Sequence, residues 1–457
     1  MRVRLPGPTG AANVGHLRRI LRDPAPVLDD LRDRYGPVVG LGGPGIRLAI
    51  VGGAEELHAV LSAPTASYRW GHRFNVIGFV VGDGSMIVSD GAEHRRRRGA
   101  VQAAFGRRRL HNWVSMIVDT TDQTIDTLEN GLGVACGPID LHPVGRTLVL
   151  RIVVRALFGA RLAERAEEIG DRFERPQRYL ESPAMRQIPH PFPFTARARV
   201  RADRRALDAI IDTEIVRRRN RADAASDDIL ESLVHDGSLS DAEIRDQVVT
   251  LLGAGYDSTS ASLAWMLWRA GLEPGIWERL RVEADTVLPP HGTPGRVDAA
   301  HLAKLETAAS VMRETLRLHP AGLFAPRLAA TDLVVGDHRI TKGTLVLWSP
   351  YLAGRDADTW PEPFRFDPDR FTATTATQKA VIDRAWIPFG KGPRLCIGFA
   401  LAQMELTLII ARLAQRLDIT PVGGVVPRPV GMVVNRPEGG VPAVVSARGY
   451  EVCNDRR

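Results

Sequence analysis

The stretch Phe389-Gly-Lys-Gly-Pro-Arg-Leu-Cys-Ile-Gly398 decides how the rest of this chain is read. Three glycines and a proline within ten residues set a tight backbone around one thiol, that of Cys396. From Gly398 to Leu417 apolar residues recur at helical spacing, so Cys396 stands at the N-terminus of a helix. Free N–H groups and the positive end of the dipole there favour a thiolate. A soft, deprotonated sulfur with backbone donors aimed at it suits an iron ligand. A lone cysteine is more often a small buried apolar residue, but this glycine spacing is too particular for that. The other two cysteines, Cys136 and Cys453, lie too far away for a CxxC zinc site. An odd, low count fits a reducing cytoplasm without a disulfide framework.

Outward from that loop, helical periodicity dominates. It predicts helices over Ala54 to Leu61, Asp90 to Phe105, Val114 to Leu128, Leu148 to Phe158 and Arg201 to Arg219. Further helices are expected over Asp227 to His235, Asp241 to Ala270, Gly275 to Val287, Leu302 to Leu318 and Gly398 to Leu417. Strand-like material sits in two places. Val38 to Val51 reads as a hairpin broken by Gly42 to Gly45, and Leu333 to Leu347 alternates around turns at Gly336-Asp337 and Lys342-Gly343. The expected class is mainly α with small β-sheets. Two Pro/Gly-rich segments, Glu181 to Thr195 and Leu288 to Gly295, read as surface loops because chemical motifs lie on both sides of the second.

Length alone, 457 residues, would suggest two or three domains. The 44% hydrophobic and 25% charged fractions are those of an ordinary soluble protein. No apolar run follows Met1 to Gly10, so a secretory signal is not expected, and no stretch reaches the length of a membrane-spanning helix. The net charge of +7 is carried almost wholly by arginine. Most of that excess is read as the coding bias of a GC-rich bacterial genome, and no nucleic-acid partner is expected.

Three other segments carry chemistry. Glu314-Thr-Leu-Arg317 places a carboxylate and a guanidinium as neighbours on one helix face. Phe366-Asp-Pro-Asp-Arg-Phe371 follows it. Ala254-Gly-Tyr-Asp-Ser-Thr259 lies mid-way along a helix of some 30 residues that opens with a capping box at Ser240 and Glu243, long enough (roughly 45 Å) to cross a domain. Gly253 and Gly255 in that interior each cost about 1 kcal/mol relative to Ala, and such a breach of local propensity is where a functional site is expected. Hydroxyls that bond back to the preceding turn can open a helix and admit water.

Taken together these segments closely resemble the cytochrome P-450 family. Phe389, Gly392, Arg394, Cys396 and Gly398 match its haem-binding loop, Phe-x-x-Gly-x-Arg-x-Cys-x-Gly, and the resemblance runs over nearly the whole chain, from Leu5-Pro-Gly-Pro to the C-terminus. It implies a single haem-centred domain over residues 1–457 and a haem b cofactor with Cys396 as the iron ligand. Phe389 would pack beside the sulfur, and Arg394 would reach a haem propionate. His94, Arg98 and Arg327 match further positions where the family holds propionates. Arg370 would complete a buried network with Glu314 and Arg317 that braces the cysteine loop, with the bidentate geometry only Arg offers. Ala254, Gly255, Asp257 and Ser258 would lie over the distal haem face, Asp257 relaying protons and Ser258 hydrogen-bonding the oxygen ligand. The family usually has Thr where this chain has Ser258; Ser keeps the hydroxyl but not the methyl that restricts its rotamer, and Thr259 could share the role.

The implied activity is a monooxygenase that inserts one atom of O2 into a small, mostly apolar organic substrate. Electrons would come from a separate ferredoxin or flavodoxin with its NADPH- or NADH-dependent reductase. Arg95 to Arg98, Arg107 to Arg109 and Lys391 would form the basic surface for that acidic partner. A peroxide-driven peroxygenase and a non-catalytic haem-thiolate sensor are the competing readings; retention of Asp257 and Ser258 argues against both. By resemblance the substrate pocket is lined by Tyr68 to Val88, a lid over Tyr179 to Arg199, Tyr256, and Ala321 to Pro326, with Phe74, Phe79 and Phe324 making it apolar.

Overall fold

The computed structural model describes residues 5–43, 45–70, 76–132, 137–190, 192–220, 226–292, 296–372 and 375–448. Cys136, Cys453 and Phe74 lie outside the described residues. The helices that frame the molecule are α1 (Gly10–Ile20), α2 (Pro24–Tyr35), α3 (Ala54–Ser62), α4 (Val76–Val81), α5 (Gly91–Ala104), α6 (Arg107–Leu132), α7 (Leu141–Phe158), α8 (Ala166–Leu180), α9 (Ala196–Asn220), α10 (Ile229–Asp236), α11 (Asp241–Leu272), α12 (Ile276–Val287), α13 (Glu306–Leu318), α14 (Ala376–Ala385) and α15 (Phe399–Arg416). Between them run the short strands β1 (Val38–Gly43), β2 (Ile46–Val51), β3 (Tyr68–Arg69), β4 (Ile139–Asp140), β5 (Ala325–Ala329), β6 (Leu333–Val335), β7 (His338–Ile340), β8 (Leu345–Trp348), β9 (Leu417–Pro421), β10 (Pro429–Val430), β11 (Arg436–Pro437) and β12 (Pro442–Ala447). The mainly α class with small sheets is what the periodicity predicts.

Helix α11 is the axis of the fold. Ser240 accepts from the Glu243 amide while the Glu243 carboxylate accepts from the Ser240 amide, the capping box expected from the sequence. From there α11 runs unbroken to Leu272, packed against α7, α13 and α15. Its interior glycine Gly253 has a packing cause: a Cβ there would meet Phe173 Cζ of α8 at 2.5 Å. The main core gathers apolar side chains from Val80 to Val445 around this helix.

The large sheet has the order β1-β2-β8-β5-β3. The expected β1–β2 hairpin forms, antiparallel, with Gly43 opposite Ile46. The second strand-like region divides. β6 and β7 close a small hairpin about Gly336-Asp337, whereas β8 leaves it to pair in parallel with β2 and antiparallel with β5. A sequence run read as one unit thus serves two sheets, because β8 is buried between two neighbours and β6–β7 lie at the edge. The expected helix over Leu302 to Leu318 is also interrupted, with α13 beginning only at Glu306.

Candidate functional site

The cysteine loop and the middle of α11 face each other across a cavity of about 500 Å³, a size that suits a cofactor or a drug-sized ligand. Ala254, Gly255, Ser258 and Thr259 form one wall, and Phe389, Arg394, Cys396 and Gly398 form another. His94, Arg98 and Arg327 also line it. Asp257 does not: one residue along a helix turns the side chain by about 100°, and its carboxylate points to α7, buried against Arg146 Nη1 at 2.9 Å.

The loop folds as it does because two of its glycines take backbone angles that a side chain would oppose. Gly390 has φ 72° and Gly392 φ 70°, and a Cβ on Gly392 would stand 2.8 Å from the Leu61 carbonyl. The Cys396 amide closes the turn onto the Phe389 carbonyl at 2.9 Å. Cys396 is exposed on the cavity wall that it helps to line. Burial pushes its thiol above the ordinary value, against the Gly398 amide and the Arg98 charge, which pull it down. Burial therefore outweighs the helix terminus that the sequence reading credited, and a metal cation is what would reverse the balance.

The loop is braced from behind. Arg317 Nε donates to Glu314 Oε2 at 2.7 Å and its Nη2 to Oε1 at 2.8 Å, with neither side chain exposed. Arg370 Nε joins Oε1 at 3.4 Å, and the Asp367 amide donates to the same oxygen at 2.8 Å. Arg317 also donates to the Gly354, Pro363 and Arg365 carbonyls. A file of rings carries this order onward. Phe371 contacts Trp386, Trp386 contacts Phe389, and Phe389 contacts Phe399 at the start of α15, with centroids 6.0, 5.9 and 6.5 Å apart. Trp386 is pinned by Nε1 to the Arg313 carbonyl of α13.

Positive charge converges on the cavity beyond what acids there can balance. Arg327 is 4% exposed, ringed by Tyr68, Trp70 and Trp348, and burial pulls its pKa down to about 10. Arg394 stacks on Trp70, and burial, despite the opposing charge of Asp90, lowers it to about 10. Burial, then Arg394 and Arg98, push His94 down to about 4. The Nε atoms of Arg327 and Arg394 are buried without a hydrogen-bond partner. Such a set is destabilised unless an anion arrives. Together with an apolar slot and one thiol, it fits an iron porphyrin carrying two carboxylates.

The arginine run Arg95 to Arg98 divides. Arg98 turns inward and donates to the Leu395 carbonyl at 2.8 Å. Arg96 and Arg97 bind Glu243, and Arg109 binds Asp227, so the basic surface is smaller than the sequence suggests. The pocket reading also changes. The cavity takes Trp70, Ile77, Met86, Ala321, Ala325 and Pro326 from the expected segments. Tyr256 instead lies under Arg146, Phe79 under Arg197, and Phe324 packs in the N-terminal core. Among the described residues of the Tyr179 to Arg199 segment, none lines the cavity.

Sequence reasoning placed Trp70 in a pocket segment but not its ring under Arg394, and it missed Glu405. That carboxyl lines the cavity wall, is fully enclosed, has Oε1 unpartnered, and is raised well above its usual range by burial. A glutamate within the apolar run of α15 was the available signal.

Among the described residues, fold and site define a helical protein in which the Cys396 thiol and a cluster of cations face one apolar cavity. The family model for cytochrome P450 matches residues 5–441, and the chain belongs to that family. It is 33% identical over 402 residues to the putative cytochrome P450 139 of Mycobacterium tuberculosis, covering 83% of this chain and 87% of that protein. The cyclooctat-9-en-7-ol 5-monooxygenase of Streptomyces melanosporofaciens is 31% identical, over 74% of this chain and 73% of its own length. The pentalenene oxygenase of Streptomyces avermitilis is 28% identical over 92% of each. In fold, the chain matches the retinoic-acid-bound cyanobacterial CYP120A1 with a TM-score of 0.85 at 23% identity, covering 98% and 100% of the two chains. It is thus an oxidoreductase of the class that incorporates molecular oxygen, with a haem-iron cofactor.

Proposed function

We propose that the chain works as one haem b domain that hydroxylates or epoxidises a cyclic, largely hydrocarbon substrate with electrons from a separate ferredoxin or flavodoxin and its NADPH- or NADH-dependent reductase. The observation that carries this is the convergence of Cys396, the under-neutralised Arg98, Arg327 and Arg394, and the Ser258 hydroxyl on one cavity. Non-covalent haem is supported by the absence of a Cys-x-x-Cys-His segment from the sequence. The alkene and alkenol named for the Streptomyces relatives support the substrate class, as do the apolar walls Ile77, Met86, Ile87, Leu157 and Leu251.

Cys396 would hold the iron, and Arg98, Arg327 and Arg394 would hold the propionates, with His94 adding a donor. Haem iron under a thiolate supplies the reductive activation of O2. Ser258 Oγ donates to the Ala254 carbonyl at 2.5 Å, so its hydroxyl is parked within the helix and its lone pairs face the cavity. Rotation of χ1 would release the proton to an oxygen in the cavity, and Thr259 sits on the same wall. Asp257, held by Arg146, keeps Oδ2 unpartnered and is the acid that would resupply protons from the α7 side. Sparing cysteine use supports action in the cytoplasm; among the described residues no helix is long and apolar enough to cross a membrane.

Reconstitution with haem tests the reading. The reduced CO complex is expected to show the red-shifted band of a thiolate-ligated iron, and Cys396→Ser to lose it. Retention of that band in Cys396→Ser would sink the assignment.

A further inference from the structure

On the far side of α11 from the cavity, four charged side chains, Arg146, Asp257, Arg436 and Glu181, form a chain of contacts. Asp257 Oδ1 accepts from Arg146 at 2.9 Å. Its Oδ2 faces Arg436 Nη1 at 4.0 Å, beyond hydrogen-bond reach. Arg436 is drawn the other way, with Nη2 3.2 Å from Glu181 Oε1. Glu181 caps the end of α8 and is itself fixed, because its carboxylate accepts the amides of Met432, Val433 and Val434. That strap continues into Asn435, whose amide donates to the carbonyl of the cavity residue Ala321 at 2.8 Å. His142 Nε2, in the electrostatic field of Arg146, Arg436 and Asp257, is also buried and unpartnered. Asp257 Oδ2 and His142 Nε2 are thus two buried polar atoms in the field of one guanidinium, neither with a hydrogen-bond partner.

We propose that Arg436 is a positioning residue for Asp257, and that Glu181 holds it back so that Oδ2 keeps its lone pairs free to take a proton while α8 and the 432–436 strap are joined. The inference rests on Asp257 being the proton-relay acid of the proposed function. A carboxylate gripped at one oxygen can still accept from a water at the other. One gripped at both by Arg146 and Arg436 is a poorer acceptor and is closed to water. Separation of α8 from the strap releases Arg436 to close the remaining 4.0 Å, which makes proton supply conditional on the joined state.

The test uses the haem-loaded enzyme, reduced through a plant-type ferredoxin and its NADPH-dependent reductase, with oxygen consumption compared in H2O and D2O. Glu181→Gln is expected to slow kcat about tenfold, a part of the 10²–10⁴ that acid–base catalysis supplies. KM for the ferredoxin should hold, and the solvent isotope effect should rise. In a crystal structure of Glu181→Gln, Arg436 is expected within hydrogen-bond distance of Asp257 Oδ2. The double variant Glu181→Gln/Arg436→Gln should recover most of the rate, and Arg436→Lys should stay near the parent. A double variant slower than Glu181→Gln, or an unmoved Arg436 in the crystal, overturns the proposal. If Asp257→Asn leaves the isotope effect unchanged, the relay reading falls and this inference with it; an effect in Asp257→Asn without one in Glu181→Gln overturns the inference alone.

Discussion

Glu314 and Arg317, one turn apart on α13, form a bidentate ion pair with no solvent exposure on either side chain. The desolvation of two charges makes such a pair a weak source of net stability, but removal of one partner leaves the other stranded. Arg317→Ala should cost about 3–5 kcal/mol in chemical denaturation, and it also frees the carbonyls of Gly354, Pro363 and Arg365. Because the ring file from Phe371 to Phe399 ends at the cysteine loop, haem retention should fall with it. A variant that unfolds like the parent would show that the pair braces nothing.

Opposite signs are expected for Arg327 in the haem-free and haem-loaded protein. It is buried among three aromatic rings, with one hydrogen bond, to the Val60 carbonyl, and an unpartnered Nε. Arg327→Met should raise the stability of the haem-free chain by about 1 kcal/mol, since a buried charge gives way to an apolar side chain. The same change should weaken haem binding about tenfold or more, the value of a lost charge-assisted hydrogen bond. Denaturation of the apoprotein and haem transfer to apomyoglobin read the two effects separately.

The site was legible in sequence wherever the chemistry is local. Phe389 to Gly398 carries its own turn geometry, and the spacing of Glu314 and Arg317 on one helix face is fixed by helical pitch. What escaped depends on long-range packing. Gly253 reads as a functional anomaly until Phe173, 80 positions earlier, is seen against it. Arg96, Arg97 and Arg98 are chemically identical in sequence; only the fold sends two to Glu243 and one to the cavity. Helices α1, α2, α4, α8 and α14 passed unread, and α8 carries Pro176 within it, a residue that argues against a helix interior. Asp257 was placed beside Ser258 by sequence and behind it by helical rotation.

His94 makes the haem-free protein pH-sensitive. Its pKa is about 4 in the fold against 6.5 ordinarily, first through burial and then through Arg394 and Arg98. Between those values the unfolded chain binds the proton and the native chain does not. Stability is therefore complete above about pH 6.5 and is lost as pH falls toward 4, by up to about 3 kcal/mol. His94→Gln should flatten this window in apoprotein denaturation. Haem, by bringing propionates to Arg98 and Arg394, should flatten it as well. A parent profile that stays level from pH 6.5 to 4.5 would remove the argument.

The partner surface can be tested on the arginines that the fold leaves outside. Arg96, Arg97 and Arg109 are held by Glu243 and Asp227, so reversing them would break internal pairs and report on folding. Arg107 and Arg108, at the start of α6, are exposed, and Arg95 and Lys391 remain from the same predicted patch. Reversal of both as Arg107→Glu/Arg108→Glu should slow reduction by an acidic ferredoxin about tenfold at low ionic strength, chiefly through the association rate. At about 0.5 M salt the difference should collapse, because exposed charges are screened within a few ångströms. Reduction by dithionite should be untouched in the same protein. Equal ferredoxin rates for parent and variant at low salt would place the electron donor on another face.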